Sequence, residues 1–117
     1  MSKDLLTLPL IVADGDDVLV FRDVATAEGK LEPVDVDDGA FQGWDAEGRL
    51  LCFATIPGRT LGEREVSIVA KEPPADDAEG LRQRLSRVLE NSGRQEANAL
   101  PLAELVRRFV EWTGYTR

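Results

Sequence analysis

Carboxylates are the side chains here whose spacing invites chemistry. Asp14-Gly15-Asp16-Asp17 stands between two apolar runs in VADGDDVLVF, and Asp35, Asp37 and Asp38 follow in VDVDDG. Clustered carboxylates supply the hard oxygen donors that Ca²⁺ and Mg²⁺ take, and neighbouring acids shift one another's pKa for acid–base work. A calcium loop of EF-hand type needs oxygen ligands at alternating positions, a glycine at the sixth and a glutamate at the twelfth. Counted from Asp14, the fifth position is Val18, the sixth Leu19 and the twelfth Ala25. The pattern fails there, so DGDD reads as a turn, and neither metal nor cofactor is expected. VDVDDG reads as a short acidic strand with Asp35 and Asp37 on one face, closed by a turn at Asp38-Gly39. Such a strand is a solvated edge that resists sheet-to-sheet pairing, or a surface for a partner.

What is missing narrows the chemistry further. Histidine is absent, which removes Ser-His-Asp and Cys-His pairs and every imidazole metal site. Cys52 is the single cysteine, so no internal disulfide forms, and its apolar setting RLLCFAT reads as that of a small buried hydrophobe. IPGRTLGER has glycines and arginines but lacks the lysine of a phosphate-binding loop and does not open a helix. Catalysis is not expected.

The net charge of −8 is unevenly spread. Between Asp14 and Glu47 eleven acidic side chains stand against Arg22 and Lys30, a balance of −9, whereas seven acids and seven bases follow Pro73. Nucleic acid and anionic membrane would be repelled by the first half, and a basic protein attracted to it. Asp35, Asp37, Asp38, Asp45 and Glu47 are the expected contact charges, with Trp44 as an exposed aromatic anchor among them.

These residues need a frame. In a chain of 117 residues there is room for one domain, 1–117. No apolar run approaches the roughly 20 residues of a membrane span, and no secretory leader is read in MSKDLLTLPLIV, so a cytoplasmic setting is expected. Leu8 to Ala13 and Val18 to Phe21 read as a hairpin about DGDD, with Pro9 at the strand start. Asp23 caps a short helix with Val24, Ala27 and Leu31 on one face, which Pro33 ends. Phe41 to Trp44 and Arg49 to Ile56 read as a second hairpin around DAEG, and Val66, Ile68 and Ala70 alternate along a fifth strand. The period then becomes helical. Asp76 and Glu79 have capping-box spacing before Leu81, Leu85, Val88 and Leu89, with Gly93 as the C′ stop. Leu102, Leu105, Val106 and Phe109 stripe a last helix opened by Pro101, with Trp112 at the end of that face.

The expected fold is α+β: a mostly antiparallel sheet of about five strands, a short helix after the second, and two C-terminal helices on one face. Arg82, Arg84, Arg87, Arg107 and Arg108 belong on outer helix faces, paired with acids such as Glu104 and Glu111.

VFRDVATAEGKLEPVDVDDGAFQGWDAEGRLL, Val20 to Leu51, resembles small bacterial proteins of unassigned function. The likeness lies in a strand, a short helix ending in LEP, an acidic turn and a hairpin around DAEGRLL. Some such acidic proteins are similar to immunity proteins, which neutralise a toxin from competing cells. The resemblance implies a non-catalytic binder of a basic toxin and carries no site residue across. The alternative is a homodimeric structural or regulatory subunit joined through a sheet edge or Trp44.

Overall fold

Leu10, Ile11, Val12 and Ala13 are all buried, so the strand they form has no solvent face. In this computed structural model, which describes residues 6–116 apart from the side chain of Gln95, that strand is the middle of a sheet. Strand β1 (Leu10–Asp14) pairs antiparallel with β2 (Asp17–Phe21) on one side and β3 (Phe41–Trp44) on the other. Asp14 opposes Asp17, leaving Gly15 and Asp16 as a two-residue turn whose first member has φ +62°. Glycine tolerates that backbone, and the turn suits the twist of the flanking strands.

A strand buried on both faces demands cover on both. On one face Ile11, Ala13, Val20 and Trp44 meet Leu81, Leu85 and Leu89 of α3 (Ala78–Asn91), together with Leu105, Val106 and Phe109 of α4 (Leu102–Thr113). On the other, Leu10, Val12 and Phe21 meet Ala27 and Leu31 at α1 (Val24–Lys30). Leu51, Val66, Ile68 and Ala70 of a two-stranded ribbon complete this second core. The ribbon pairs β4 (Leu51–Pro57) with β5 (Arg64–Ala70) from Leu51↔Ala70 to Pro57↔Arg64. The fold is thus α+β, with two antiparallel sheets of three and two strands in place of one five-stranded sheet.

Local signals hold where they concern caps and periodicity. Asp23 caps α1, its Oδ1 accepting from the Thr26 N–H at 2.8 Å. Gly93 has φ +92°, and the N–H groups of Gly93 and Arg94 return to Glu90 and Leu89, sealing the end of α3. The hydroxyl of Ser86, a polar side chain buried within α3, donates to the carbonyl of Ala97 and ties in a 3₁₀ turn, Gln95–Ala99.

Four expectations are corrected. VDVDDG is not a strand: Pro33–Asp37 forms helix α2, with Pro33 opening it rather than only ending α1. Gly39 (φ +72°) and Ala40 donate to Val36 and Asp35, a Schellman close that satisfies the last carbonyls of α2. The second hairpin is not β3–β4. Among the described residues Trp44 of β3 bridges to Leu50, just before β4, and β4 takes β5 as its partner. Gly43 leaves room for the Phe53 ring of β4, since a Cβ there would lie 2.6 Å from it. The capping box is not used either: the N-cap of α3 is Asp77, and its carboxylate accepts from Trp44 Nε1 at 3.1 Å. Cys52 is exposed, because β4 alternates and turns Leu51 inward and Cys52 outward.

Leu85 and Leu105 are fully buried where α3 and α4 cover the sheet. Leu85→Ala and Leu105→Ala should each cost about 2–5 kcal/mol, read as a lower urea midpoint with unchanged slope. An unchanged midpoint would contradict this packing.

Candidate functional site

Strand direction sorts the acidic turns to two ends of the three-stranded sheet. Asp14 opposes Phe41, so the Asp14–Asp17 turn and the Asp38–Ala40 corner lie at one end. Ile11 opposes Trp44, so the Asp45–Gly48 turn lies at the other. Three residues of strand separate these ends, roughly 10 Å at about 3.3 Å per residue. The three acidic segments therefore do not share one surface.

The Asp14 end is open and acidic. Asp14, Asp16, Asp17 and Asp38 are exposed and Asp35 is half-buried. Arg84 on α3 reaches this end, its Nη1 donating to the Gly15 carbonyl at 2.9 Å, so one guanidinium anchors the backbone of the turn. Cross-strand geometry sets Asp14 directly against Asp17. Like charges opposed in this way work against the hairpin. Asp37 does not join them. Two residues along a helix rotate a side chain by about 200°, so Asp37 points away from Asp35. It pairs instead with Arg64 at 2.5 Å and accepts from Thr55 Oγ1 at 3.1 Å. A strand would have put both aspartates on one face, and helix α2 separates them.

The Asp45 end is a structural knot. Asp45 is wholly buried. Its Oδ1 accepts the N–H groups of Glu47 and Arg49 at 2.9 Å each, and its Oδ2 accepts the Thr7 N–H at 3.0 Å. Arg49 Nη1 completes the set at 3.2 Å. One carboxylate thereby closes the Asp45–Gly48 turn and ties the segment before β1 to it, helped by the Ala46 N–H donating to the Thr7 carbonyl. Gly48 lets α3 start against this turn: with φ +90°, a Cβ there would fall 2.4 Å from the Ala78 Cα. The Asp77 N–H donates to the Gly48 carbonyl at 2.7 Å across that contact. Trp44 is buried beside it, and Glu47 is exposed, accepting from Thr7 Oγ1 and lying 3.7 Å from Arg49.

The expected contact set is thus divided. Asp35 and Asp38 stand at the acidic end, Asp37 is ion-paired beside the ribbon, and Glu47 lies at the far end. Trp44 and Asp45 are interior residues, which corrects their reading as surface contacts: the indole fills the core, and its one polar atom is spent on Asp77. Asp14, Asp16 and Asp17, part of the acidic first half but outside the expected contact set, stand at the same end as Asp38, whereas the Asp45–Gly48 turn expected beside them does not. Their signal was the pairing register, which places the end of β1 beside the start of β3.

Among the described residues, no group of three or more His, Cys, Asp or Glu side chains is placed to hold a metal ion. Among them, too, no helix is long and apolar enough to cross a membrane. Hydrogen bonds from Thr26 hold the Asp23 carboxyl below its ordinary pKa, and Arg82 and Arg107 do the same for Glu79 and Glu104. These three shifts arise from a helix cap and from helix-surface pairs. No protein-family model, curated protein or solved structure matches this chain.

Asp45→Asn keeps the shape and replaces Oδ2, the acceptor for Thr7 and Arg49, by an amide that donates. The substitution should destabilise the protein by about 3 kcal/mol in urea denaturation. Arg49→Ala, whose side chain is 42 % exposed, should cost less, because water replaces its contacts. Equal costs for the two would argue against the carboxylate as the organising group.

Proposed function

We infer that this protein is a non-catalytic binding module that docks a basic surface of a partner protein against the acidic end of its three-stranded sheet. The observation that carries this reading is the convergence of the Asp14–Asp17 turn and the Asp38 corner, fixed by the pairing of Asp14 with both Asp17 and Phe41. Exposed like charges held on a rigid hairpin steer an oppositely charged partner and raise its association rate more than its final affinity. The opposed Asp14–Asp17 pair supports a binding role over a stabilising one, since that arrangement costs the hairpin stability. Solubility alone needs negative charge somewhere on the surface, not a repulsive pair at a turn. Blocking a basic toxin, in the manner of immunity proteins, is the form of this function that the likeness of Val20–Leu51 suggests. Cytoplasmic residence belongs to the same proposal.

The test begins with capture of the partner from the native host, followed by association rates over a range of salt. Asp14→Asn/Asp16→Asn/Asp17→Asn/Asp38→Asn should slow association at least about tenfold at low salt and flatten its salt dependence. Glu47→Gln, at the opposite end of the sheet, should leave the rate unchanged. Asp17→Asn alone should slow association while raising stability by about 0.5 kcal/mol, because it relieves the cross-strand repulsion. Equal rates for wild type and the quadruple variant at low salt would sink the proposal.

A further inference from the structure

A second feature of opposite character lies where the end of α3, the 3₁₀ turn and α4 flank an open cleft of about 390 Å³. Clefts of roughly 300–1,000 Å³ accommodate small organic ligands. Leu89, Ala97 and Leu100 give it an apolar floor, and its rim carries Arg94, Arg107 and Arg108 with Trp112, the glutamates Glu96 and Glu111 standing among them.

These arginines are not equally engaged. Arg107 is committed, held by Glu104 and by Glu111 at 2.5 Å. Arg108 reaches Glu96 and Glu104 only at 3.9 Å, beyond hydrogen-bond distance. Arg94 forms no ion pair with any described carboxylate; its guanidinium lies over the Trp112 ring, 5.3 Å from the centroid. The backbone beneath it is fixed, because the Arg94 N–H donates to Leu89 in the close of α3. Trp112 is 41 % exposed and rests edge-on against Phe109 at 6.5 Å. Each guanidinium offers five N–H donors in a planar fork suited to carboxylate, phosphate or sulfonate oxygens.

We propose that this cleft binds a small organic anion with a flat aromatic body. Its charged group sits on Arg94 and Arg108, and its ring lies against Trp112 and the Leu89–Ala97–Leu100 floor. The indole of Trp112, with part-exposed Leu100 beside it, selects for a ring over a bare inorganic anion. The net charge of −8 disfavours a polyanion such as nucleic acid, whose many charges extend past the cleft. Glu96, 3.9 Å from Arg108, is the resident competitor that an arriving anion displaces.

The probe is 8-anilinonaphthalene-1-sulfonate, an aromatic anion, titrated into the folded protein while emission of the exposed Trp112 is followed. One saturable site is expected. Arg94→Gln/Arg108→Gln should weaken the site at least about tenfold, the loss expected when charge-assisted hydrogen bonds are removed. Glu96→Gln should tighten it, an effect that loss of mere structural support would not produce. The uncharged N-phenyl-1-naphthylamine should bind more weakly than the sulfonate, and inorganic phosphate alone should not displace it at millimolar concentration. Circular dichroism checks that each variant is folded; if the double variant is not, Arg94→Gln and Glu96→Gln alone decide, moving affinity in opposite directions. Absence of a stoichiometric site, equal affinity of the neutral compound, or no change in the arginine variants would overturn the proposal.

Discussion

Burial of β1 on both faces is the constraint from which the architecture follows. Leu10 and Val12 need one apolar layer, and Ile11 and Ala13 need another. A three-stranded sheet cannot supply either by itself. Helices α3 and α4 make the first layer, while α1 and the β4–β5 ribbon make the second. Splitting the strands between two sheets is therefore a packing solution: β4 leaves β3 after one bridge so that Leu51 can cover the second face.

Polar groups concentrate at the junction where β4 departs from β3. Asp45 satisfies three backbone N–H groups, those of Glu47 and Arg49 in the turn between β3 and β4 and that of Thr7 before β1. A buried carboxylate holds its place only when fully hydrogen-bonded, so the knot is strong as a set and vulnerable as single members. The indole of Trp44 extends the same logic to α3 through Asp77, and Gly80 leaves the space into which that carboxylate projects. On the opposite side, Glu28 of α1 accepts the Ile68 N–H at 2.8 Å and covers a donor on the outer edge of β5. Covered edges of this kind keep a short ribbon from recruiting strands at random.

Charge is partitioned by the same topology. The acidic turn and corner gather at one end of the sheet, and under-engaged guanidiniums gather over the cleft between α3 and α4. A chain whose composition reads as plainly acidic thus presents two faces of different chemistry. Averaged charge reports neither, because Arg107 is neutralised by its helix neighbours whereas Arg94, at the close of a helix, is not.

The sequence by itself determined what depends on near neighbours. The Asp23 cap, the Gly15 turn, the Gly93 stop and the apolar stripes of α3 and α4 are each set by residues within a few positions of one another. The α+β class follows from the order of those periods. Tertiary structure decided the rest. Pro33 and Gly39 marked the ends of VDVDDG locally, but its choice of helix over strand turned on Val36 packing into the second core and Asp37 meeting Arg64 and Thr55 of the ribbon. Whether Trp44 and Asp45 face a partner or the interior turned on α3 and the segment before β1, which arrive from 33 and 38 residues away to meet them. Local spacing carries no record of such encounters, because their free energy lies in burial and in hydrogen bonds that exist only once the distant segments are in place.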